Sequence, residues 1–147
     1  LKLREFRLDD YEEVVDMFYE FIKEVFDKDR KISPKYFFYK QITSWINEKR
    51  HIVLAINNED KIVGFSCCYI DEFDCLTESV YNCEYAYVKP CYRNTRAAYM
   101  LYKNGSSKAK ELGLNLVSNG RIENGVDDMM EKHFNLQRKF TNFERKV

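Results

Sequence analysis

The hydrophobic positions of this 147-residue chain change period several times, and each change marks an element. In "KLREFR" (2–7), Leu3 and Phe6 stand among charged neighbours, a loose alternation that predicts a short first strand. Asp9 or Asp10 then offers an N-cap. Val14, Val15, Phe18, Ile22, Val25 and Phe26 follow on one face of an amphipathic helix. A second helix restarts in "KISPKYFFYKQITSWINEK", with Ser33 as N-cap, Pro34 at the first helical position and Phe37, Phe38, Ile42, Trp45 and Ile46 as its stripe.

The period then shortens. "HIVLAI" (51–56) and "KIVGFSCCYI" (61–70) are β-branched and apolar, and "NNED" between them makes a hairpin. A polar, acidic connection, "DEFDCLTES" (71–79), leads to the strand "VYNCEYAYV" (80–88), which Pro90 ends. Strict alternation in that strand puts Cys83, Tyr85 and Tyr87 on one face and Glu84, Ala86 and Val88 on the other. From Thr95 onward Ala98, Leu101, Tyr102, Gly105, Ala109 and Leu112 recur at helical spacing. Gly105 permits close approach to a sheet and Gly113 is the C-terminal stop. "LNLVS" (114–118) reads as a buried strand, "VDDMMEKHF" (126–134) as a short helix and "RKFTNFERKV" (138–147) as a final strand. The expected order is β-α-α-β-β-β-α-β-α-β. It describes one α/β domain over 1–147, with a mixed sheet and helices on both faces.

Composition narrows the function classes. Twenty-four basic residues balance twenty-four acidic ones, so no global field points to nucleic acid or to an anionic membrane. The first residues carry no signal-peptide core and no apolar run reaches membrane-spanning length, so the expected location is the cytoplasm. Cys67, Cys68, Cys75, Cys83 and Cys91 form no Cys-x-x-Cys pair, and only His51 and His133 stand beside them. No metal is expected, and the thiols read as structural. Eleven Tyr and eleven Phe are read mainly as rings that fill a core.

The chemistry concentrates at "VKPCYRNTRAA" (88–98). A helix that begins just after a strand leaves unpaired backbone N–H groups in its first turn, with the positive end of the helix dipole behind them. A loop that wraps such amides is an anion site that needs no particular side chain. Arg93, Asn94, Thr95, Arg96, Ala97 and Ala98 occupy that position. The two arginines add cations, and the two alanines keep the helix start small. A side chain at position 96 is tolerated if the backbone there is helical; only a positive φ or a close approach would demand glycine.

The element order, together with Val-x-Pro-x-Tyr-Arg-x-x-x-x-Ala, resembles the GNAT superfamily of N-acetyltransferases. Members carry Arg/Gln-x-x-Gly-x-Gly/Ala between the fourth strand and third helix and hold the pyrophosphate of acetyl-CoA on its amides. Arg93 matches the leading position and Ala98 the closing one, while Arg96 replaces the central glycine, a variant similar to phage-encoded members. The resemblance implies acetyl-CoA as co-substrate and an amine of a small molecule or protein as acceptor. It implies that the main chain of Ala86 and Val88 lies along the pantetheine arm, with the Val88 N–H as an oxyanion donor. Asn124 is then a further contact to that arm, Arg96 a contact to a CoA phosphate and Glu84 the general base.

Where the family's last helix usually supplies a thiolate-protonating Tyr, this chain has Met129 and Met130. The carboxylates of "DEFD" (71–74) and Glu78 border the expected acceptor side, where they either attract a cationic amine or form a solvated loop. The alternative reading is a non-catalytic binding module of the same fold, acting through protein–protein contact with or without CoA. An incomplete last strand would leave a sheet edge that a second copy could cover, as a homodimer.

Overall fold

The computed structural model describes residues 1–26, 31–72, 77–118, 126–134 and 136–137, with the backbone alone at Val126, Asp127, Asp128 and Met130. Its strands are β1 (Lys2–Glu5), β2 (His51–Ile56), β3 (Ile62–Asp71), β4 (Val80–Val88) and β5 (Asn115–Ser118). They lie side by side in chain order. The first three junctions are antiparallel and the β4–β5 junction is parallel. The crossover that a parallel pair requires is the helix α3 (Ala97–Leu112). Helices α1 (Tyr11–Val25) and α2 (Lys35–Asn47) cover one face of the sheet, and α3 covers the other with α4 (Val126–Phe134) beside it. The mixed sheet with helices on both faces is as expected; the anticipated strand over 138–147, Cys75 and Asn124 lie outside the described residues.

The α1–α2 face is an aromatic core. The Phe18 ring meets Trp45 at 4.8 Å, Tyr85 at 5.0 Å, Phe38 at 5.5 Å and Phe65 at 6.4 Å, all edge-on. The α3 face is built from small residues. Ala97 and Leu101 pack on Ala55, Val63 and Val88, and Ala109 packs with Cys68, Tyr81 and Cys83. Cys67 and Cys68 point into opposite cores, as adjacent strand residues must.

Several boundaries and faces differ from expectation. Pro34 is the N-cap of α2 rather than its first residue, and α3 starts at Ala97 rather than Thr95. Asp10 sits at the N-cap of α1, but its carboxylate accepts from Arg4 at 2.7 and 2.8 Å and from the Arg7 N–H at 2.8 Å. Phe37 is half-exposed because Phe38, Ile42 and Trp45 carry the stripe, and a neighbouring helical position is turned about 100° away. Phe26 is also exposed, since the chain has left the helix for extended backbone there. β5 is half-exposed rather than buried: β4 flanks one side, and no described strand pairs with the other.

The main departure lies in β4. Cys68 pairs with Cys83 and Cys67 pairs with Tyr85, so Glu84 is an extra residue without a partner in β3, a β-bulge. Strict alternation fails across it. Cys83 faces α3 together with Ala86 and Val88, whereas Tyr85 and Tyr87 face α1 and α2. Glu84 contacts Arg50 on that second side instead of sharing a face with Ala86 and Val88.

Close approach is needed at Gly64, where an added Cβ would lie 2.7 Å from the Tyr87 carbonyl oxygen. At Gly105 it would meet only Cys68 Sγ, at an ordinary 3.8 Å, so the expected requirement for glycine does not hold there. Gly113 caps α3 at φ 69°, as expected. In urea unfolding, Gly64→Ala should cost about 1–3 kcal/mol, while Gly105→Ala should add about 0.5–1 kcal/mol. The opposite signs would contradict this packing.

The Arg4 guanidinium holds the Asp10 carboxyl below its ordinary range, against the effect of burial. Asp10 therefore stabilises the fold fully above its unfolded value of about 3.9, and that contribution is lost as pH falls through the lower folded value. Asp10→Asn should cost about 2 kcal/mol at neutral pH, and the gap to the parent chain should narrow in unfolding curves taken at about pH 3. A gap independent of pH would contradict the assignment.

Candidate functional site: the fork between β4 and β5

Among the described residues, pairing between β4 and β5 runs from Val80 with Asn115 to Cys83 with Ser118, one residue before the bulge. Beyond it, Tyr85–Val88 keeps β3 on one side, and among the described residues no strand lies on the other. The Lys89 N–H donates to the Val63 carbonyl at 2.9 Å, so the amides of Tyr85 and Tyr87 also face β3. Backbone groups alternate, which turns the N–H and C=O of Ala86 and Val88 into the open fork. The Val88 carbonyl accepts from Arg93 Nε at 3.0 Å.

The loop after β4 leads into α3 through tight turns. The Tyr92 N–H donates to Lys89 at 2.9 Å, and the Thr95 N–H and Oγ1 both donate to the Tyr92 carbonyl, at 3.2 and 2.5 Å. The first backbone bond into α3 runs from the Met100 N–H to the Arg96 carbonyl at 2.9 Å. The amides of Ala97, Ala98 and Tyr99 precede it, and Ala97 turns to Thr95 Oγ1 at 3.3 Å. Asn94 and Thr95 are exposed, Ala97 is buried and Ala98 is half-buried. Arg96 has φ −79° and ψ 3°, on the right-handed side, so nothing in its backbone requires glycine. Among the described residues only Lys49, Asp60 and Gly113 have positive φ.

The two arginines of the loop differ in use. Arg93 grips Glu24 of α1 through both terminal nitrogens, Nη2 at 2.6 Å, and its guanidinium stands 5.6 Å from the Tyr87 ring centre. Glu24 raises the Arg93 pKa despite partial burial. Arg93 thus straps α1 to the fork. Arg96 has no carboxylate partner among the described residues; its guanidinium lies 5.9 Å from the Tyr99 ring centre. It lines an open groove of about 760 Å3 between the N-terminal strand and α3, together with Leu3, Tyr99, Lys103 and Ser107.

On the opposite face of the sheet, Glu84 is ion-paired. Arg50 Nη1 donates to Glu84 Oε2, and Arg50 Nε donates to Glu48 Oε2 at 2.6 Å. Ser44 donates to Glu48 Oε1 at 2.9 Å, and the guanidinium carbon lies 4.0 Å from the Tyr69 ring centre. Tyr69 in turn accepts from Asn82 at 3.3 Å and reaches Asp71 at 3.4 Å. Burial opposes the Arg50 charge, but Glu48 and Glu84 outweigh it and raise the pKa. Burial, with Glu84 alongside, pushes the Tyr85 phenol up to about 12. The indole nitrogen of Trp45 and Oδ1 of Asn82 are buried here with no hydrogen-bond partner among the described residues.

Sequence reasoning did not single out Arg50. The available signal was Glu84 itself, since a carboxylate within an apolar strand needs a cation. The end of α2 delivers that cation. Lys49 adopts φ 55°, its N–H donates to Ile46, and the Arg50 N–H reaches back to Trp45, each at 3.0 Å. This double closure turns Arg50 under the last helical turn, towards the sheet.

At the vertex of the fork, Ser118 Oγ donates to the Cys83 carbonyl at 3.3 Å, and the Tyr102 hydroxyl interacts with Ser118. Burial pushes the Tyr102 phenol pKa up, so it stays protonated. Met129 of α4 packs beside Tyr102. His51 Nδ1 lies 2.9 Å from the Tyr81 hydroxyl, and the His133 ring packs edge-on against Tyr99 in the first turn of α3. No described group of three His, Cys, Asp or Glu is placed to hold a metal, and no described helix is long and apolar enough to cross a membrane.

Residues 13–125 match the sequence profile of the acetyltransferase (GNAT) family. Several solved structures share the fold along the whole chain. Aminoglycoside 6'-N-acetyltransferase AAC(6')-IG from Acinetobacter haemolyticus is 16% identical with a TM-score of 0.72, covering 100% of this chain and 99% of that one. Ribosomal-protein-alanine N-acetyltransferase from Brucella melitensis biovar Abortus 2308 is 15% identical with a TM-score of 0.72, covering 100% of each. A possible acetyltransferase from Clostridium difficile 630 is 16% identical with a TM-score of 0.75, covering 99% and 97%. At these identities the likeness is one of fold. No curated protein matches the sequence significantly.

The left-handed backbone at Lys49 is costly for a residue with a Cβ. Lys49→Gly should therefore raise stability by about 0.5–1 kcal/mol in urea unfolding, and a loss would contradict the capping geometry described for α2.

Proposed function

The chain belongs to the acetyltransferase (GNAT) family, and on that premise we propose that it transfers the acetyl group of acetyl-CoA to an amine of a small molecule or a protein. The observation that carries this reading is the fork. It sets a strand edge at Ala86 and Val88, which no described strand pairs, beside a helix start whose Ala98 and Tyr99 amides have no backbone acceptor among the described residues. Those groups suit acetyl-CoA: an extended amide-bearing arm needs a strand edge, and a pyrophosphate needs N–H donors at a positive helix end.

When bound, acetyl-CoA supplies its acyl group as a thioester. The amides of Asn94, Arg96 and Ala98 would hold the pyrophosphate, joined by those of Thr95 and Ala97 on leaving the Tyr92 carbonyl and Thr95 Oγ1, and Arg96, which has no carboxylate partner among the described residues, would meet a phosphate. Arg93 contributes by bracing the loop against α1 rather than as an open cation. Ala86 and Val88 would pair with the pantetheine arm, joined by Asn124 on the strength of the family pattern. The Val88 N–H would hold the carbonyl oxygen as it gains charge. Glu84 would take the proton of the attacking amine. Solvent or a tyrosine outside the last helix would return a proton to the departing thiolate. We place this activity in the cytoplasm and in one domain spanning the chain.

The Glu84–Arg50 pair favours a second reading, a binding module without turnover, because that carboxylate already has a cation for a partner. Thiol release from acetyl-CoA with any of an aminoglycoside, a polyamine or an alanine-starting peptide would exclude that module. Calorimetry with acetyl-CoA should show micromolar binding, and Arg96→Ala should weaken it about 10-fold. No heat at millimolar acetyl-CoA would overturn the proposal.

A further inference from the structure

We propose that Arg50 is a positioning residue that holds Glu84 in place for the acetyl transfer; this rests on the reading of Glu84 as the base. Glu84 is the surplus residue of the bulge, so the ladder with β3 does not fix its backbone as it fixes its neighbours. Its side chain is instead fixed from outside. Arg50 is 13% exposed and reaches Glu84 Oε2 with Nη1 while Nε is anchored on Glu48. Ser44 braces Glu48, and the guanidinium plane rests on Tyr69. The clamp therefore draws on α2, β3 and β4, and Lys49 in left-handed backbone sets its starting point. A structure that retains strain of this kind at one residue must over-determine the arrangement around it.

The charges also fit a base rather than a purely structural pair. Glu48 and Glu84 share one guanidinium, which leaves the cluster one net negative charge, and Asp71 stands beyond Tyr69. Arg50 engages Oε2 of Glu84, and the carboxylate has a second oxygen with which to meet a proton. The arrangement orients the carboxylate without cancelling the cluster's charge.

The test uses steady-state kinetics with acetyl-CoA and whichever amine of the three classes above is turned over. Arg50→Ala should lower kcat about 10- to 100-fold, as expected for a misplaced base. The KM for acetyl-CoA should stay within about two-fold, because the loop amides lie apart from Arg50. Guanidinium ion at about 20 mM should restore part of the kcat of Arg50→Ala and none of that of Glu84→Gln. Arg50→Lys, which keeps the charge but not the planar fork, should fall between Arg50→Ala and the parent, and it serves as the reporter if Arg50→Ala does not fold. Parental kcat in folded Arg50→Ala, or in Arg50→Lys if only that variant folds, alongside an inactive Glu84→Gln, would overturn the positioning role alone. Parental kcat in Glu84→Gln would overturn the base reading itself.

Discussion

One surplus residue in β4 sets up the rest of the site. With Glu84 inserted between Cys83 and Tyr85, the strand cannot keep the same register with β3 and the same faces along its length. Among the described residues, pairing with β5 ends one residue earlier, at Cys83 and Ser118, and the strand continues with no described partner on that side. That edge carries the main-chain groups of Ala86 and Val88. The same insertion turns Glu84 away from α3 and towards Arg50. An exposed strand edge is ordinarily a liability for pairing with foreign chains; here it lies within a notch, with the loop and the start of α3 at its end.

The cations near this notch are deployed unequally. Lys89 is bound to Glu13 at 3.0 Å and Arg93 to Glu24, so two of the three basic residues around the loop tie β4 and its loop to α1. Arg96 alone among them lacks a carboxylate partner in the described residues. The residue that departs from the family's glycine is thus the one that has no carboxylate partner among the described residues. The residue that matches the family pattern, Arg93, serves as a strap. Backbone explains why both are tolerated: position 96 is right-handed, and an anion site made of amides would need no particular side chain.

Much of the fold was legible because its elements bury whole faces. The spacing of Phe18, Phe38, Ile42, Trp45, Leu101 and Ala109, together with Gly113 and the hairpin turn, marks helices and strands through local periodicity. Boundaries were less legible where a single hydrogen bond decides them, as with Pro34 and Thr95. The faces of β4 were misread because a bulge depends on pairing across two strands, and no periodicity within "VYNCEYAYV" records it. Arg50 was missed for a similar reason: it lies 34 residues from Glu84, and the fold brings the two together.

Main-chain groups of the fork and the loop, rather than any single side chain, would form the site for acetyl-CoA. A crystal structure of the chain with acetyl-CoA tests it most directly. The pyrophosphate should lie on the amides of residues 94–98, with the thioester carbonyl oxygen at the Val88 N–H. A cofactor seated instead in the groove between the N-terminal strand and α3, with the β4 edge untouched, would contradict it.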